Sequence, residues 1–391
     1  MRKISILTLL SVFILGSIVS SAFSATPQSG APCIKKGVTQ LVGKTQYSCI
    51  LSKRKLIWSK GVEIKPKIPT SSSSKSPSPT PSPKQLNDYE KLLLQDSIIG
   101  NALREFNSYP KLTVKTASKN EYIFSPNSDL NFQKFIREIT NISFDYFAEF
   151  FTDTNSFPIV YGTDQDFDWT IDYLESHKMV DNWAREEFTK RLKQEGQQVN
   201  IGGSDTWGDN RNLIYIIRGI NRSPVSEADY SFIAHEYTHA VQNYLAGKQS
   251  AFPCWSSEGA AQFFGNAISA RNYSGKYLNM RYWTFQMVKD APQNLNPWSY
   301  SDSQWLDALT RLEKRGDLCN FDARLSYGPG IVMTEIQIAD KGINALMEWW
   351  SAANTSEGWR SAFKRIYGMS VETWYVEKAI PAIKSAYAEN K

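Results

Sequence analysis

The chain has 391 residues, 41% of them hydrophobic and 13% aromatic, with a formal net charge of +5 and only three histidines. That is enough apolar material for one large domain with a full core plus something smaller, and beyond one N-terminal run no segment approaches membrane-spanning length. The charge is uneven: residues 26–68 carry nine Lys and Arg against the single Glu63, whereas residues 85–391 sum to −7. A basic head is joined to an acidic body, and no nucleic-acid partner is expected.

In chain order, Arg2 and Lys3 open an apolar run from Ile4 to Val19, and Ala22-Phe23-Ser24 offers small residues at signal-peptidase spacing. Residues 1–25 therefore read as a secretory signal rather than a membrane anchor, and the mature protein is expected to be secreted or held at the cell surface. In an oxidising compartment, four cysteines imply two disulfides rather than metal thiolates. The economical pairing is Cys33–Cys49 and Cys254–Cys319, one bridge on each side of a linker.

Residues 26–65 form a small unit in which Gln46 to Leu51 and Lys55 to Trp58 read as strands, punctuated by Gly37, Gly43 and Gly61. About forty residues make little core, so a disulfide staple fits. The unit resembles the small two-cysteine basic modules near the N-termini of some bacterial exported proteins. Its charge suits attachment to anionic cell-wall polymer or a membrane surface; a solubilising spacer is the plainer alternative. Residues 66–84, PKIPTSSSSKSPSPTPSPK, bury nothing and form an extended tether.

From residue 85 onward, Leu92, Leu93, Ile99, Leu103 and Phe106 predict a helix over 88–106, and a second helix is expected over 130–151. A strand at Phe157 to Gly162 precedes short helices at 169–174 and 179–194. Gly202-Gly203 and Gly208 frame an expected loop before the best strand in the chain, Asn212 to Gly219. Helical patterns dominate after Glu227. The expected class is α+β: a mixed sheet with an edge strand, then a helical subdomain, all within 85–391.

Two of the three histidines lie in His235-Glu236-Tyr237-Thr238-His239, inside a segment free of Gly and Pro from Ser226 to Ala246. With Ser226 as cap and Glu227 and Asp229 in the first turn, this segment should be a helix. Residues four apart share a helix face, so both imidazoles can bind one metal ion, while Glu236 reaches a metal-activated water as general base. Two nitrogens and a water leave a tetrahedral site incomplete. Glu258, nineteen positions after His239 in Trp255-Ser256-Ser257-Glu258-Gly259-Ala260-Ala261, opens a second expected helical run to Ser269 and is the candidate third ligand. Small residues at 259–261 would let the two helices approach, and Gln262 stands where it could hydrogen-bond a ligand histidine. His177 is expected to be merely solvated.

HExxH followed at this spacing by Glu within W-x-x-E-G-x-A resembles the gluzincin metallopeptidases, which include thermolysin and the aminopeptidases with a Trp-x-x-Glu-Gly motif. The resemblance covers the central third of the chain. It implies a zincin-like fold, Zn2+ held by His235, His239 and Glu258, Glu236 as general base, and hydrolysis of peptide or protein substrates. The family stabilises the oxyanion with a downstream Tyr or His. No histidine follows His239, and Tyr327 in Leu325-Ser326-Tyr327-Gly328-Pro329-Gly330 stands at a position comparable to the aminopeptidase tyrosine, with Tyr282 and Tyr300 as alternatives. A Cys254–Cys319 bridge would bring the segment before Tyr327 beside that of Glu258. The upstream Gly-x-Met-Glu-Asn motif of the aminopeptidases is missing. An endopeptidase is therefore favoured, with strand 213–218 expected as the edge that pairs with substrate. The competing class is a non-catalytic exported binding protein that keeps a structural zinc.

Overall fold

The computed structural model describes residues 27–33, 38–52, 55–63, 85–109, 120–150, 157–180, 183–196, 200–207, 211–219, 225–247, 252–290, 295–313 and 323–391. The expected signal segment, the 66–84 tether, Gly37, Gly208 and Cys319 lie outside these residues. The chain is mixed α and β, with two sheets among the described residues, and divides into two compact units, one within residues 14–84 and one running from Gln85 to Lys391.

In the small unit, β1 (Thr39–Val42), β2 (Thr45–Ser52) and β3 (Lys55–Trp58) form an antiparallel sheet, and β4 (Val62–Glu63) also pairs with β2. The expected Cys33–Cys49 disulfide is present. Cys49 and Trp58, cross-strand partners, are buried in this unit. So small a core needs the covalent staple.

The large unit begins with α1 (Asp88–Leu92) and α2 (Ile98–Asn107) in place of the single helix expected over 88–106. Ser97 breaks the run: its side chain accepts from Gly100 N at 3.0 Å and starts a fresh helix. After β5 (Glu121–Phe124) and α3 (Leu130–Phe147) come β6 (Pro158–Thr163), α4 (Phe167–Ser176), α5 (Trp183–Glu195), β7 (Asn200–Trp207) and β8 (Arg211–Arg218). The strands form one sheet in the order β5-β6-β8-β7, parallel except for the antiparallel β7–β8 pair.

Two expectations fail here. The glycine-marked segment is a strand, not a loop. Gly202 sits under the Phe232 ring, where a Cβ would come within 2.1 Å, and at Gly203 a Cβ would come within 2.3 Å of the Tyr215 hydroxyl. Close neighbours, rather than a turn, require those glycines. And strand 213–218 is not an edge: β8 is flanked by β6 and β7, so the edge beside it is β7. Alternate residues of the sheet enter two cores. Ile159, Tyr161, Ile214 and Ile216 face the main core with the helices around the histidines, while Val160, Leu213, Tyr215 and Ile217 pack with Phe167, Ile171 and Phe188 of α4 and α5.

Asp166, at the turn from β6 into α4, staples the turn before α3: its carboxylate accepts from Asn127 N and Nδ2, each at 2.7 Å. Burial alone would push this carboxyl up, but the nearby Ser125 hydroxyl and the hydrogen bonds from Asn127 and Thr163 outweigh it and hold the pKa below its ordinary value. A depressed folded-state pKa means the stabilisation is present above the unfolded-state value and is lost as pH falls through the folded one. Asp166→Ala should therefore cost about 1.5–3 kcal/mol at neutral pH. Thermal melts of parent and variant should converge as pH drops below about 4.

Among the described residues the elements that follow are helices: α6 (Glu227–Ala246), α7 (Cys254–Ser269), α8 (Tyr277–Gln286), α9 (Asp302–Arg311), α10 (Ala323–Ala353), α11 (Gly358–Tyr367), α12 (Val371–Trp374) and α13 (Ile380–Glu389). α10 is broken at Gly342, whose φ of 80° is left-handed, so its two halves are distinct helical segments.

Candidate metal centre

α6 starts as expected. Ser226 caps it, and the Asp229 carboxylate accepts from Ser226 N at 2.8 Å, completing a capping box. Gly247, at φ 72°, ends it. From Ser231 to Asn243 every residue is buried, so the helix runs through the core rather than along a surface. α7 begins at Cys254, one turn before the expected start at Glu258, and is buried throughout. Cys254 is disulfide-bonded; its expected partner lies outside the described residues.

Close helix approach is achieved differently from expectation. Gly265 lets α7 meet α6: a Cβ there would lie 2.5 Å from Ser231 O and 3.2 Å from His235 Cβ. Gly259 faces the opposite way, onto α10, where a Cβ would come within 2.1 Å of the Gly330 carbonyl carbon. α7 is thus held between two helices through glycines on two faces. Glu258 is thereby aimed at the histidines of α6 and Tyr327 on α10 is brought up beside them.

His235 Nε2 and His239 Nε2 stand 3.0 Å apart. Glu258 places Oε2 at 3.5 Å from the first and Oε1 at 3.5 Å from the second. Neither Glu258 oxygen makes a hydrogen bond, although the side chain has no exposed surface. A buried carboxylate without donors is costly unless a cation satisfies it. Ligand atoms bound at about 2.0–2.1 Å to a tetrahedral ion stand about 3.3 Å apart, close to the spacing found. These three residues could hold a metal ion, and they are the one such cluster among the described residues.

Electrostatics agree with that donor set. For His235, burial is the largest influence and holds the pKa below its ordinary value. For His239, burial acts in the same downward sense but is outweighed by the charges of Glu258 and Glu236, so its pKa is raised. For Glu258, burial alone would raise the pKa, yet the two imidazoles hold it well below the usual carboxylate range. Metal-free, the cluster therefore consists of an ionised carboxylate, a neutral His235 and a His239 that readily takes a proton.

Glu236 is fully buried, and its charge acts on His239. Tyr327 stacks on His235, with ring centroids 5.9 Å apart and planes 20° off parallel. Of the alternative tyrosines, Tyr300 packs on Trp305 and Tyr282 is exposed beside Trp283. His177 is exposed, stacked on Tyr173, as expected for a solvated histidine. Gln262 Nε2 donates to Asn266 Oδ1 at 3.1 Å, and Gln262 favours protonation of His235 without making a well-formed hydrogen bond to it.

One polar neighbour is not anticipated by the sequence reading. Gln242 Oε1 lies 2.9 Å from His239 Nδ1, and Gln242 Nε2 donates to Ser257 O at 3.1 Å. Its position three residues beyond the second histidine, hence on a neighbouring part of the same helix face, was the available signal. No protein-family model, curated protein or solved structure matches the chain.

Proposed function

We propose that the protein is an exported, zinc-dependent metallopeptidase of gluzincin type, with a zincin-like catalytic domain within residues 85–391. The observation that carries this reading is the buried convergence of His235, His239 and Glu258 with Glu236 and Tyr327 beside them. Two neutral nitrogens and one carboxylate oxygen suit zinc and leave a coordination position open. Zinc, when bound, supplies Lewis acidity that polarises a carbonyl and lowers the pKa of water.

The chain's own residues supply the rest. Glu236, in a low-dielectric setting, takes the proton of the attacking water and returns it to the leaving amine. Tyr327 is assigned as donor to the carbonyl oxygen while negative charge develops there. β7 offers the backbone for substrate: among the described residues its outer edge pairs with no strand, and Gly202 lies against Phe232, one turn before His235. An extended peptide added to that edge would run past the centre, as endopeptidase action requires. In the small unit, Lys44, Lys55 and Lys60 are exposed, which supports attachment to an anionic wall polymer or membrane surface.

A second reading has one observation in its favour. His235, Glu236 and Glu258 have no exposed surface, and His239 is only 3% exposed, which also suits a metal kept for stability in a non-catalytic binding protein. A cleavage assay on denatured protein separates the two. Chelation should abolish cleavage and added zinc restore it, while Tyr327→Phe should lower kcat about 10²–10³-fold with KM little changed. If zinc-loaded protein cuts nothing, the non-catalytic reading replaces the enzyme.

A further inference from the structure

Gln242 takes no part in the scheme above, yet it is wholly buried on α6 and contacts both ligand-bearing helices. Its Nε2 faces Ser257 O at 3.1 Å and Ser256 O at 3.5 Å, carbonyl oxygens that can only accept a hydrogen bond. The amide therefore has one orientation that satisfies both ends, with Oε1 toward the histidine at 2.9 Å. An amide oxygen only accepts, so His239 Nδ1 must carry a hydrogen. The lone pair of the neutral ring then sits on Nε2, 3.5 Å from Glu258 Oε1. Ser257 directly precedes Glu258, so the same side chain ties the α6 ligand to the peptide beside the α7 ligand. His235 has no equivalent, because its Nδ1 is buried without a hydrogen bond.

We infer that Gln242 is the positioning residue of the metal centre: it fixes His239 in the tautomer that presents Nε2, and it sets α6 against α7 before a metal arrives. This rests on the metal-centre reading. Bound outer partners of a ligand histidine hold ring orientation and raise ligand basicity, and their loss weakens metal binding.

The test is zinc affinity of the full chain, measured by competition with a chromophoric chelator, for the parent, Gln242→Leu and Gln242→Glu. Both variants lose the donor to Ser257 O, but only Glu keeps an acceptor for His239 Nδ1–H at 2.9 Å and for the longer contact from Ser257 Oγ at 3.5 Å, so their comparison reads what the acceptor contributes even if both loosen the helix pair. Gln242→Leu should bind zinc about 10–100-fold more weakly than the parent, with Gln242→Glu recovering much of that loss. A Leu variant within about twofold of the parent, or a Glu variant no better than Leu, overturns the assignment. A parent that binds no zinc overturns the metal centre itself and this role with it, whereas tight parental binding with an unaffected Leu variant removes this role alone.

Discussion

Glu236→Gln should keep its full complement of metal and lose about 10²–10⁴-fold in peptide hydrolysis. The three side chains proposed to hold the metal belong to other positions, and glutamine matches glutamate in shape, so helix α6 has no reason to repack around it. What disappears is the capacity to accept a proton at neutral pH, since an amide oxygen is far too weak a base. Burial sharpens the effect, because no solvent-borne base can replace a group with no exposed surface. The pairing of measurements matters. A variant that loses metal as well would make Glu236 structural, and one that cleaves within about tenfold of the parent would remove it from the base role.

The second large effect concerns stability rather than chemistry. Gly259→Val should destabilise the chain by more than about 3 kcal/mol, a substantial share of the 5–15 kcal/mol that ordinarily holds a domain together. A Cβ at this position would come within 2.1 Å of the Gly330 carbonyl carbon and 2.3 Å of its Cα and oxygen. All three obstacles are backbone, so no rotamer change relieves them and the helices must separate. α7 carries Glu258 and α10 carries Tyr327, so the same displacement should loosen the metal centre. Urea denaturation read by far-UV circular dichroism gives the energy, and the chelator competition gives the metal affinity. A valine variant as stable as the parent would mean that α7 and α10 do not meet at these glycines.

The centre was legible in the sequence because its constraints are local. Spacing of four on an uninterrupted segment fixes the histidine face, Ser226 marks where that segment becomes helical, and Glu258 is found by the need for a third ligand. The sheet was less legible because its order depends on long-range pairing. Gly202 and Gly203 resemble loop residues by propensity, whereas the cause of their selection lies in Phe232 and Tyr215, distant in sequence. A clue to the position of β8 was nevertheless present. Leu213-Ile214-Tyr215-Ile216-Ile217 is apolar on both alternating faces, the pattern of a strand covered on both sides rather than one at a margin. The double role of small residues on α7 was half visible: their presence could be read, but not that Gly259 and Gly265 serve different neighbours.

The most direct measurement is the metal content of the full chain purified without chelators, compared with that of a His239→Ala, Glu258→Ala double variant. One equivalent of zinc in the parent and none in the folded variant is the expected result. A parent free of transition metal after exposure to zinc, or a variant that retains the full equivalent, would contradict a centre built from His235, His239 and Glu258.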